Sequence, residues 1–551
     1  MKSIKNILIT LVVGVVYFYF SLPAINYQNP DLYIFLLVLT AIYALLEIRS
    51  KGIFRGAMDD LSNSIPLDVV NSVVSRLIKE SKIPVIIAIA LVAFLFIGNV
   101  VSSPFFRANA YSNLLQVIPG DFAVEVSEIQ LSSQIPMLDT DSAQRLGERK
   151  MGELADMVSQ YEVAKDYTQI NYKGTPVRTT SLEYGDLIKW FNNRSTGLPV
   201  YFIVDMVTQN VEVIWVSDVV EGATGIKYAP AEYLSRDLTR HLRFNYPTFM
   251  FDTPNFEIDE DGVPYWVCPR LVRRIGIFGG KDIQGAVLVN AVTGECQYYE
   301  DLPVWVDRAY SADLIIQQYD YFGRYQNGFW NSIFGQRDVT VTTEGYNYIA
   351  INDDVYMYTG ITSVGTDQSN IGFILTNQRT KHTSFYSIAG ATEFSAMASA
   401  QGAVQHLNYR STFPLLLNIS SQPTYFSALK DSAGLVKMYA MVNVEQYQIV
   451  ATGATVTECD RNYREQLRIN NLAEEVYIVT TEITGYIEEI RSAVINGNTQ
   501  YYIRLSGTDY FYKLSASESE IAVVLDVGDR VSLSASDDTG TVRAASSLRL
   551  R

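Results

Sequence analysis

Three long apolar runs interrupt the mixed pattern of polar and apolar positions in the first hundred residues. They cover residues 7–22, 32–46 and 83–101, and none contains a charged side chain. A helix needs about 20 apolar residues to cross a bilayer, and the tyrosines flanking the two shorter runs suit the headgroup region. We therefore predict three transmembrane helices within residues 1–101. The alternative is a cleaved signal peptide followed by buried core helices, which does not explain the third run.

The basic residues around these runs predict their orientation. Lys2 and Lys5 precede the first run, and six further Lys and Arg residues lie between the second and third, whereas residues 23–31 contain none. Because cytoplasmic loops are enriched in basic residues, the N-terminus and the loop 47–82 are predicted to be cytoplasmic and everything after Val101 extracytoplasmic. Within that loop, residues 65–82 carry apolar side chains at helical spacing. This predicts an amphipathic helix on the inner leaflet or, alternatively, against a partner protein.

Beyond the anchor, one pattern recurs four times: six strand residues, four turn residues and six strand residues. The copies cover residues 200–215, 285–300, 371–386 and 437–452, and their starts are 85, 86 and 66 residues apart. The first strand of each copy is largely apolar and the second tends to alternate, as expected for a hairpin with one covered face. We therefore predict a repeated β-hairpin, the alternative being coincidence of turn-forming residues.

A further strand and a helix are predicted before each hairpin. The strands begin at Thr175, Val263, Asp354 and Gln422, three of them with Pro as second residue, which the start of a strand tolerates. The helices are predicted at 142–158, 231–244, 311–319 and 392–405, the first with Asp139 or Asp141 as its cap.

The predicted class is therefore α+β, with three transmembrane helices, tandem units of one helix and three antiparallel strands, and a C-terminal barrel. The expected domains are the anchor at 1–101, units at 102–220, 221–309, 310–390 and 391–458, and a helix with a β-barrel at 459–551.

The second hairpin carries the most specific motif, LVNAVTGECQYY from Leu288 to Tyr299. A helix and strand followed by such a hairpin resembles the PepSY domain family and the broader cystatin-like αβββ folds. The first hairpin keeps the Asp and Thr of the motif but lacks its Gly, and the third and fourth depart further. The resemblance covers roughly residues 139–453 and is shared with a group of bacterial multi-span membrane proteins. It implies units that bind or restrain partners, often peptidases of the cell envelope, rather than catalyse.

The C-terminal part becomes strand-rich after a charged helical stretch at 459–475. Asn496-Gly497 and Ser506-Gly507 predict hairpins, and the turn-strand-turn pattern of residues 527–542 resembles small barrels of the OB type. The chain carries a net charge of −18 after Val101, and residues 476–551 have 10 acidic against 7 basic side chains. Such acidity repels phosphate backbones, so nucleic acid is excluded as a partner and protein contact is expected instead.

Little in the sequence indicates catalysis or a cofactor. The three His residues, His241, His382 and His406, have no acid and nucleophile that spacing links to them, and no zinc or phosphate-binding motif occurs. Three acidic turns, at 259–261, 353–354 and 537–538, are weighed as calcium sites and favoured as ordinary turns. Cys268 and Cys296 are expected to remain free thiols, because an intervening strand separates them by roughly 9.6 Å.

Aromatic residues are densest between residues 305 and 330, interleaved with polar ones. This density predicts either a covered repeat junction or a surface that contacts a sugar or peptide. The candidate contact residues are Trp305, Tyr310, Tyr319, Tyr321, Phe322, Tyr325 and Trp330.

From these observations we expect a prokaryotic cell-envelope protein held in the lipid bilayer, without enzymatic activity, cofactor or metal. Its expected role is a scaffold or regulator that binds another envelope protein. One alternative is a module that binds cell-wall glycan or peptide. Another is a hydrolase that works without His, through acids such as Asp259 or Asp320.

Overall fold

The computed structural model describes residues 2–50, 82–128, 135–136, 138–351, 353–365, 369–473, 480–495, 498–515, 519–536 and 542–551. The fold is mixed α+β, with 33% helix and 34% strand. The described chain divides into two units, 1–467 and 468–551, each treated by itself below.

Three N-terminal helices are long and apolar enough to cross a membrane, as predicted. Their apolar side chains are largely exposed, which suits contact with lipid rather than with a protein core. They are α1 (Lys2–Ser21), α2 (Pro30–Ser50) and α3 (Lys82–Val101). The predicted amphipathic helix of the loop lies outside the described residues.

Three short elements connect the anchor to the first repeat: α4 (Pro104–Ser112), β1 (Val117–Pro119) and α5 (Phe122–Glu125). β1 runs parallel to the last strand of the third repeat, which ends near Tyr386. The chain that leaves the membrane helices therefore joins the sheet of a repeat more than 200 residues later in the sequence.

Each of the first two repeats begins with a helix that is followed by antiparallel strands. The first contains α6 (Thr140–Gly152), β2 (Tyr161–Val163), β3 (Thr168–Tyr172), β4 (Thr175–Thr180), β5 (Leu182–Tyr184), α7 (Leu187–Asn193), β6 (Val200–Asp205), β7 (Val211–Trp215) and α8 (Val216–Val219). The second contains α9 (Leu238–Asn245), β8 (Met250–Phe251), β9 (Asn255–Ile258), β10 (Pro264–Ile275), β11 (Gly279–Asn290) and β12 (Cys296–Tyr299).

The last two repeats also have a helix before the strands of their main sheet. The third contains α10 (Ala312–Tyr325), β13 (Thr340–Thr342), β14 (Asn347–Ile351), β15 (Asp354–Ser363), β16 (Ser369–Asn370), β17 (Gly372–Asn377) and β18 (Thr383–Tyr386). The fourth contains β19 (Gly390–Ala391), α11 (Glu393–Ala403), β20 (Arg410–Ser411), β21 (Leu415–Ile419), β22 (Gln422–Lys430), β23 (Val436–Asn443) and β24 (Val450–Gly453).

All four predicted hairpins are confirmed as antiparallel pairs: β6–β7, β11–β12, β17–β18 and β23–β24. The strand predicted before each hairpin is confirmed as well. The prediction of three strands per repeat is wrong, because each main sheet has a further edge strand. In the last three repeats this strand is broken into two pieces: β8 and β9, β13 and β14, and β20 and β21. In the first repeat it is β3 alone, while β2 pairs with β5 in a separate two-stranded sheet.

The hairpin turns are built by one recurring side-chain interaction. Oδ1 of the Asp or Asn that ends the first hairpin strand accepts hydrogen bonds from main-chain N–H groups two or three residues later, at 2.8–3.0 Å. The four residues are Asp205, Asn290, Asn377 and Asn443. In the first three turns a left-handed residue follows at the same position: Gln209, Gly294 or Lys381. The Gly of the second hairpin is therefore not required for this turn, because Gln209 and Lys381 adopt the same left-handed conformation in the first and third hairpins.

Each repeat contacts the next, and the fourth also contacts the first. The hydrogen bonds that join them are Thr179 to Phe256, Gln318 to Lys281, Tyr358 to Pro414, and Arg145 to Ala433.

The second repeat carries the contact with the membrane helices. β10 and β11 extend beyond the sheet as a long hairpin, whose tip donates from the N–H groups of Ile277 and Phe278 to Oγ of Ser102, at 2.8 and 3.1 Å. The Phe278 ring packs edge-on against Tyr33 and Phe94 of the anchor. Since Ser102 directly follows α3, this hairpin is anchored at the end of a membrane helix.

A second contact joins the loop between α1 and α2 to the end of α9. The side chain of Arg243 is buried and donates to the carbonyl oxygens of Leu22, Tyr246, Pro247 and Phe249, at 2.6–3.3 Å. The N–H of Ile25 donates to Pro247 O at 2.8 Å. The loop that follows α1 and the end of α3 therefore face the same repeat.

The chain leaves the repeats through α12 (Val456–Ile469), which packs on the fourth repeat. Its Tyr463 is buried, and its hydroxyl lies 2.9 Å from Thr424 Oγ1. The second unit is a closed five-stranded barrel in the order β25-β26-β27-β29-β28. Its strands are β25 (Thr480–Ile495), β26 (Asn498–Leu505), β27 (Phe511–Ser515), β28 (Arg530–Ser536) and β29 (Val542–Leu550).

Candidate functional site

The predicted aromatic contact residues lie in several separate places. Trp305 packs on Tyr265 with ring centroids 5.1 Å apart, and Tyr310 is half-buried beside Lys381. Tyr319 is almost fully buried in the core of the third repeat, where Phe322 packs against it. The remaining three residues, Tyr321, Tyr325 and Trp330, continue into an aromatic chain that reaches α4. The segment is thus part core and part surface, not one continuous platform.

A larger opening lies where the first, third and fourth repeats meet. It is a cleft of about 860 Å³, bounded by the start of α6, the turn after β22, and the segments before β14 and β21. Its lining carries four cations and several aromatic rings. The charged residues are Asp139, Asp141, Arg145, Arg178, Arg410, Lys430 and Asp431, and the aromatic residues are Tyr346, Tyr348, Phe413 and Phe426.

Arg178 is the buried charge of this cleft. It lies in the middle of β4, is 5% exposed, and its Nε lies 3.4 Å from the Leu138 carbonyl oxygen. No ion pair joins its guanidinium to a carboxylate among the residues that the structure describes. Burial lowers the pKa of Arg178 to about 10, and repulsion from Arg308 adds to this effect, while the charge of Asp139 raises the pKa without forming an ion pair. A buried guanidinium without a carboxylate partner is a site at which an anionic group would be stabilised.

The rim of the cleft is held by pairs between the first and fourth repeats. Lys430 Nζ forms an ion pair with Asp139, and Arg145 donates from Nη1 to Ala433 O at 2.8 Å. Burial would raise the pKa of Asp139, but the hydrogen bonds and charge of Lys430, with the Ser142 bonds, outweigh it and lower the pKa. Asp139 also caps α6 by accepting from Ser142 N, which confirms one of the two predicted caps. The cap therefore fixes one wall of the cleft.

Aromatic rings form the opposite wall. Tyr348 accepts a hydrogen bond from Arg308 Nη2 at 2.8 Å, and the Arg308 guanidinium lies 4.5 Å from the centroid of the same ring. Tyr346 packs edge-on against Tyr348 and is partly exposed to the opening. The wall thus combines ring faces with a second guanidinium behind them, an arrangement suited to a peptide side chain or a carboxylate.

Behind the cleft lies a buried polar centre. Gln169 pairs with Arg178 across β3 and β4, is fully buried, and neither its amide nitrogen nor its amide oxygen has a described partner. Next to it, Glu257 accepts from the N–H groups of Asp307 and Arg308, at 2.8 and 3.0 Å. Asp307 Oδ2 accepts from Asn171 N at 2.6 Å. This centre joins the first three repeats through charged and polar groups rather than through apolar packing.

The two carboxyl groups of this centre differ in their hydrogen bonds. Both oxygens of Glu257 accept main-chain N–H groups, whereas Asp307 Oδ1 has no described partner. Burial raises the pKa of both groups, and the charge of Glu257 raises the pKa of Asp307 further. We infer that Asp307 holds a proton in the folded protein, whereas the Glu257 oxygens accept the two main-chain N–H groups.

The other predicted chemical candidates have structural roles. His241 Nε2 lies 2.7 Å from Gly294 O, and its ring packs on Tyr228. Asp259 accepts from the N–H groups of Asp261 and Val263, so its carboxylate stabilises the turn in which it lies. Asp354 is paired with Arg379, and residues 537–538 lie outside the described residues. Among the described residues, no three His, Cys, Asp or Glu side chains are grouped to hold a metal ion.

The carboxyls of the hydrolase alternative do not share a site. Asp259 lies in the turn after β9, while Asp320 lies on α10 and accepts from the main-chain N–H and the hydroxyl of Thr342. Cys268 and Cys296 are free, as predicted, because β11 lies between the strands that carry them.

The residues of the buried centre carried a signal that the sequence analysis passed over. Arg178 and Glu257 each occupy the interior of a short strand that contains no other charged side chain. In a strand buried on both faces, a charged residue indicates a partner or a ligand. Arg308 and Asp307 carry no such signal, because they lie in the connection after β12.

Comparison with known proteins adds no further assignment. No protein-family model matches the chain, and no curated protein matches it.

Proposed function

We propose that this protein is a membrane-anchored, extracytoplasmic scaffold or regulator of the prokaryotic cell envelope, and that its repeats bind an acidic segment of a partner protein. The single observation that carries the proposal is the buried Arg178 guanidinium, which faces the cleft without a carboxylate partner among the described residues. An Asp, a Glu or a C-terminal carboxylate of a partner would supply the missing charge. The aromatic wall would cover the apolar part of the same segment.

The family resemblances belong to this proposal. The repeats differ from the αβββ arrangement of PepSY-like domains by one additional edge strand, and they keep the Asp or Asn of the hairpin turn. The closed five-stranded barrel supports the resemblance to OB folds. Because the chain is acidic, we assign the barrel to contact with protein rather than with nucleic acid.

The orientation across the membrane is also proposed, with the N-terminus cytoplasmic and the repeats outside. Two observations support it: the basic residues that flank the anchor helices, and the contact of the loop after α1 with the second repeat.

Cysteine labelling tests this orientation. Tyr27→Cys and Glu221→Cys place thiols at exposed positions expected outside, and Lys5→Cys places one on the cytoplasmic side. In intact cells, a membrane-impermeant maleimide is expected to label the first two, and to label the third only after permeabilisation. The unsubstituted chain is the background control, since its three cysteines are buried or half-buried. Labelling of Lys5→Cys alone in intact cells would show the opposite orientation.

Site-specific photocrosslinking in native membranes tests the binding function. A photoreactive residue at Asn408, which lines the cleft, is expected to capture one stoichiometric envelope protein. Loss of one charge-assisted hydrogen bond costs about 1.5–3 kcal/mol, so Arg178→Gln is expected to lower the crosslinking yield about tenfold or more. Arg149→Ala is the control, because Arg149 is an exposed arginine outside the cleft.

Each outcome of this experiment decides between functions. Capture of one protein that depends on Arg178 but not on Arg149 supports the scaffold. Recovery of wall glycan or peptide alone would replace the scaffold with a wall-binding module. Capture that is equal in both variants would show that the cleft is not the binding site.

A further inference from the structure

An exposed apolar surface lies directly beyond the third membrane helix. We call it the aromatic patch and define it by the residues Phe105, Phe106, Trp330, Ile333 and Phe334, which are between 48% and 78% exposed. The Phe105 ring lies 5.7 Å from Trp330, and Trp330 stacks on Phe334 at 5.8 Å. Two segments of the chain, more than 200 residues apart in sequence, thus place their aromatic side chains on one surface.

The position of the patch follows from chain continuity. Helix α3 ends at Val101 and α4 begins at Pro104, so Phe105 is four residues beyond the span. Four residues reach at most about 14 Å. Tyr111 holds α4 in place, because its hydroxyl donates to Ser102 O at 2.7 Å and its ring lies 4.6 Å from that of Tyr321. Both parts of the patch are therefore fixed near the end of the anchor.

The composition of the patch suits a lipid surface. Residues 328–335, GFWNSIFG, contain no charged side chain. Exposed apolar clusters of this kind are uncommon on the water-facing surface of a protein and mark an interaction site. The nearest cations in sequence, Arg107 and Arg337, are exposed and follow the two segments, where headgroup phosphates would accept their hydrogen bonds.

We propose that the aromatic patch inserts into the headgroup–acyl boundary of the leaflet on which α3 ends. Trp and Phe are the side chains enriched at this depth, because their rings tolerate an environment that is part apolar and part wet. The patch then acts as a further point of membrane contact that holds the third repeat down on the bilayer. For the exposed half of the aromatic segment, we propose this contact with lipid in place of the contact with a sugar or a peptide.

Quenching of tryptophan fluorescence by brominated lipids tests the proposal on the full-length protein in nanodiscs. We expect lipids brominated near the headgroup to quench part of the emission, and Trp330→Phe to lose that quenching. Trp215→Phe is the control for removing another exposed tryptophan, since Trp215 lies on the first repeat and is 42% exposed. It is expected to keep the wild-type quenching.

Two results would overturn the proposal. If Trp330→Phe retains the full lipid quenching, Trp330 does not contact lipid. If Trp330 is instead shielded from aqueous quenchers only at high protein concentration, the patch is an interface between two copies of the chain. Neither result depends on the cleft or on its partner, so the scaffold function is tested separately.

Discussion

Replacing Arg243 with methionine is expected to lower the free energy of unfolding of the first unit by about 2–4 kcal/mol. The guanidinium donates to four carbonyl oxygens from two chain segments, and Met can satisfy none of them. The opposing effect is the cost of burying the charge, which lowers the pKa of Arg243 to about 10. We expect the lost hydrogen bonds to outweigh this cost, because buried carbonyl groups without partners are themselves destabilising.

The same variant tests whether Arg243 connects the anchor to the second repeat. In wild type the N–H of Ile25 donates to Pro247 O, so hydrogen exchange of the peptide that covers residues 22–29 should be slow. Arg243→Met is expected to speed that exchange, and Arg243→Lys to restore it in part. Asn245→Ala, at an exposed neighbour, should change the free energy of unfolding by no more than about 0.5 kcal/mol and should leave the hydrogen exchange of residues 22–29 slow. Slow exchange in Arg243→Met would show that the loop is held independently of this side chain.

The hairpins and the strands before them were predictable because their signals are local. A run of apolar residues, an Asp or Asn, and a turn residue three or four positions later determine a hairpin whatever the rest of the chain does. The broken edge strands were missed because they carry no such local signal. β8 has two residues and β20 has two, and neither is long enough to show a period. Such strands are determined by the neighbour with which they pair.

The ends of the helices followed capping chemistry more closely than periodicity. The second helix was predicted from residue 231, but α9 begins at Leu238 because the Asp237 carboxylate accepts from Arg240 N and ends the preceding turn. The first was predicted to 158 but ends at Gly152. A cap satisfies the free N–H groups of the first turn and therefore determines where a helix starts.

The cleft could not be derived from one sequence because its walls come together only in the folded chain. Arg145 contacts Ala433 across 288 residues, and no local pattern connects those positions. The buried charges are a partial exception. A strand with Arg178 in its interior can be recognised as unusual from the sequence, but the group that surrounds the guanidinium cannot. Single unusual residues of the site could therefore be recognised from the sequence, but their arrangement in space could not.

Raising the pH from 6 to 8 is expected to lower the free energy of unfolding by roughly 2–3 kcal/mol through Asp307. Burial first, and then the charge of Glu257, raise the pKa of Asp307 to about 9 in the folded protein, whereas in an unfolded chain it is about 4. Between these values the folded state holds a proton that the unfolded state has released. Stability from this group is therefore complete below about pH 4 and is lost as the pH rises toward the folded pKa.

Asp307→Asn isolates this effect, because Asn has the shape of the protonated acid and keeps an oxygen for Asn171 N. The variant is expected to unfold like wild type below about pH 4 and to be more stable at pH 8, with a flatter dependence measured by denaturant unfolding at several pH values. Glu257→Gln is the contrasting control. Both Glu257 oxygens accept main-chain N–H groups, so a Gln amide would place a donor against a donor and destabilise the protein at every pH. If Asp307→Asn leaves the pH dependence unchanged, the proton is not held at Asp307.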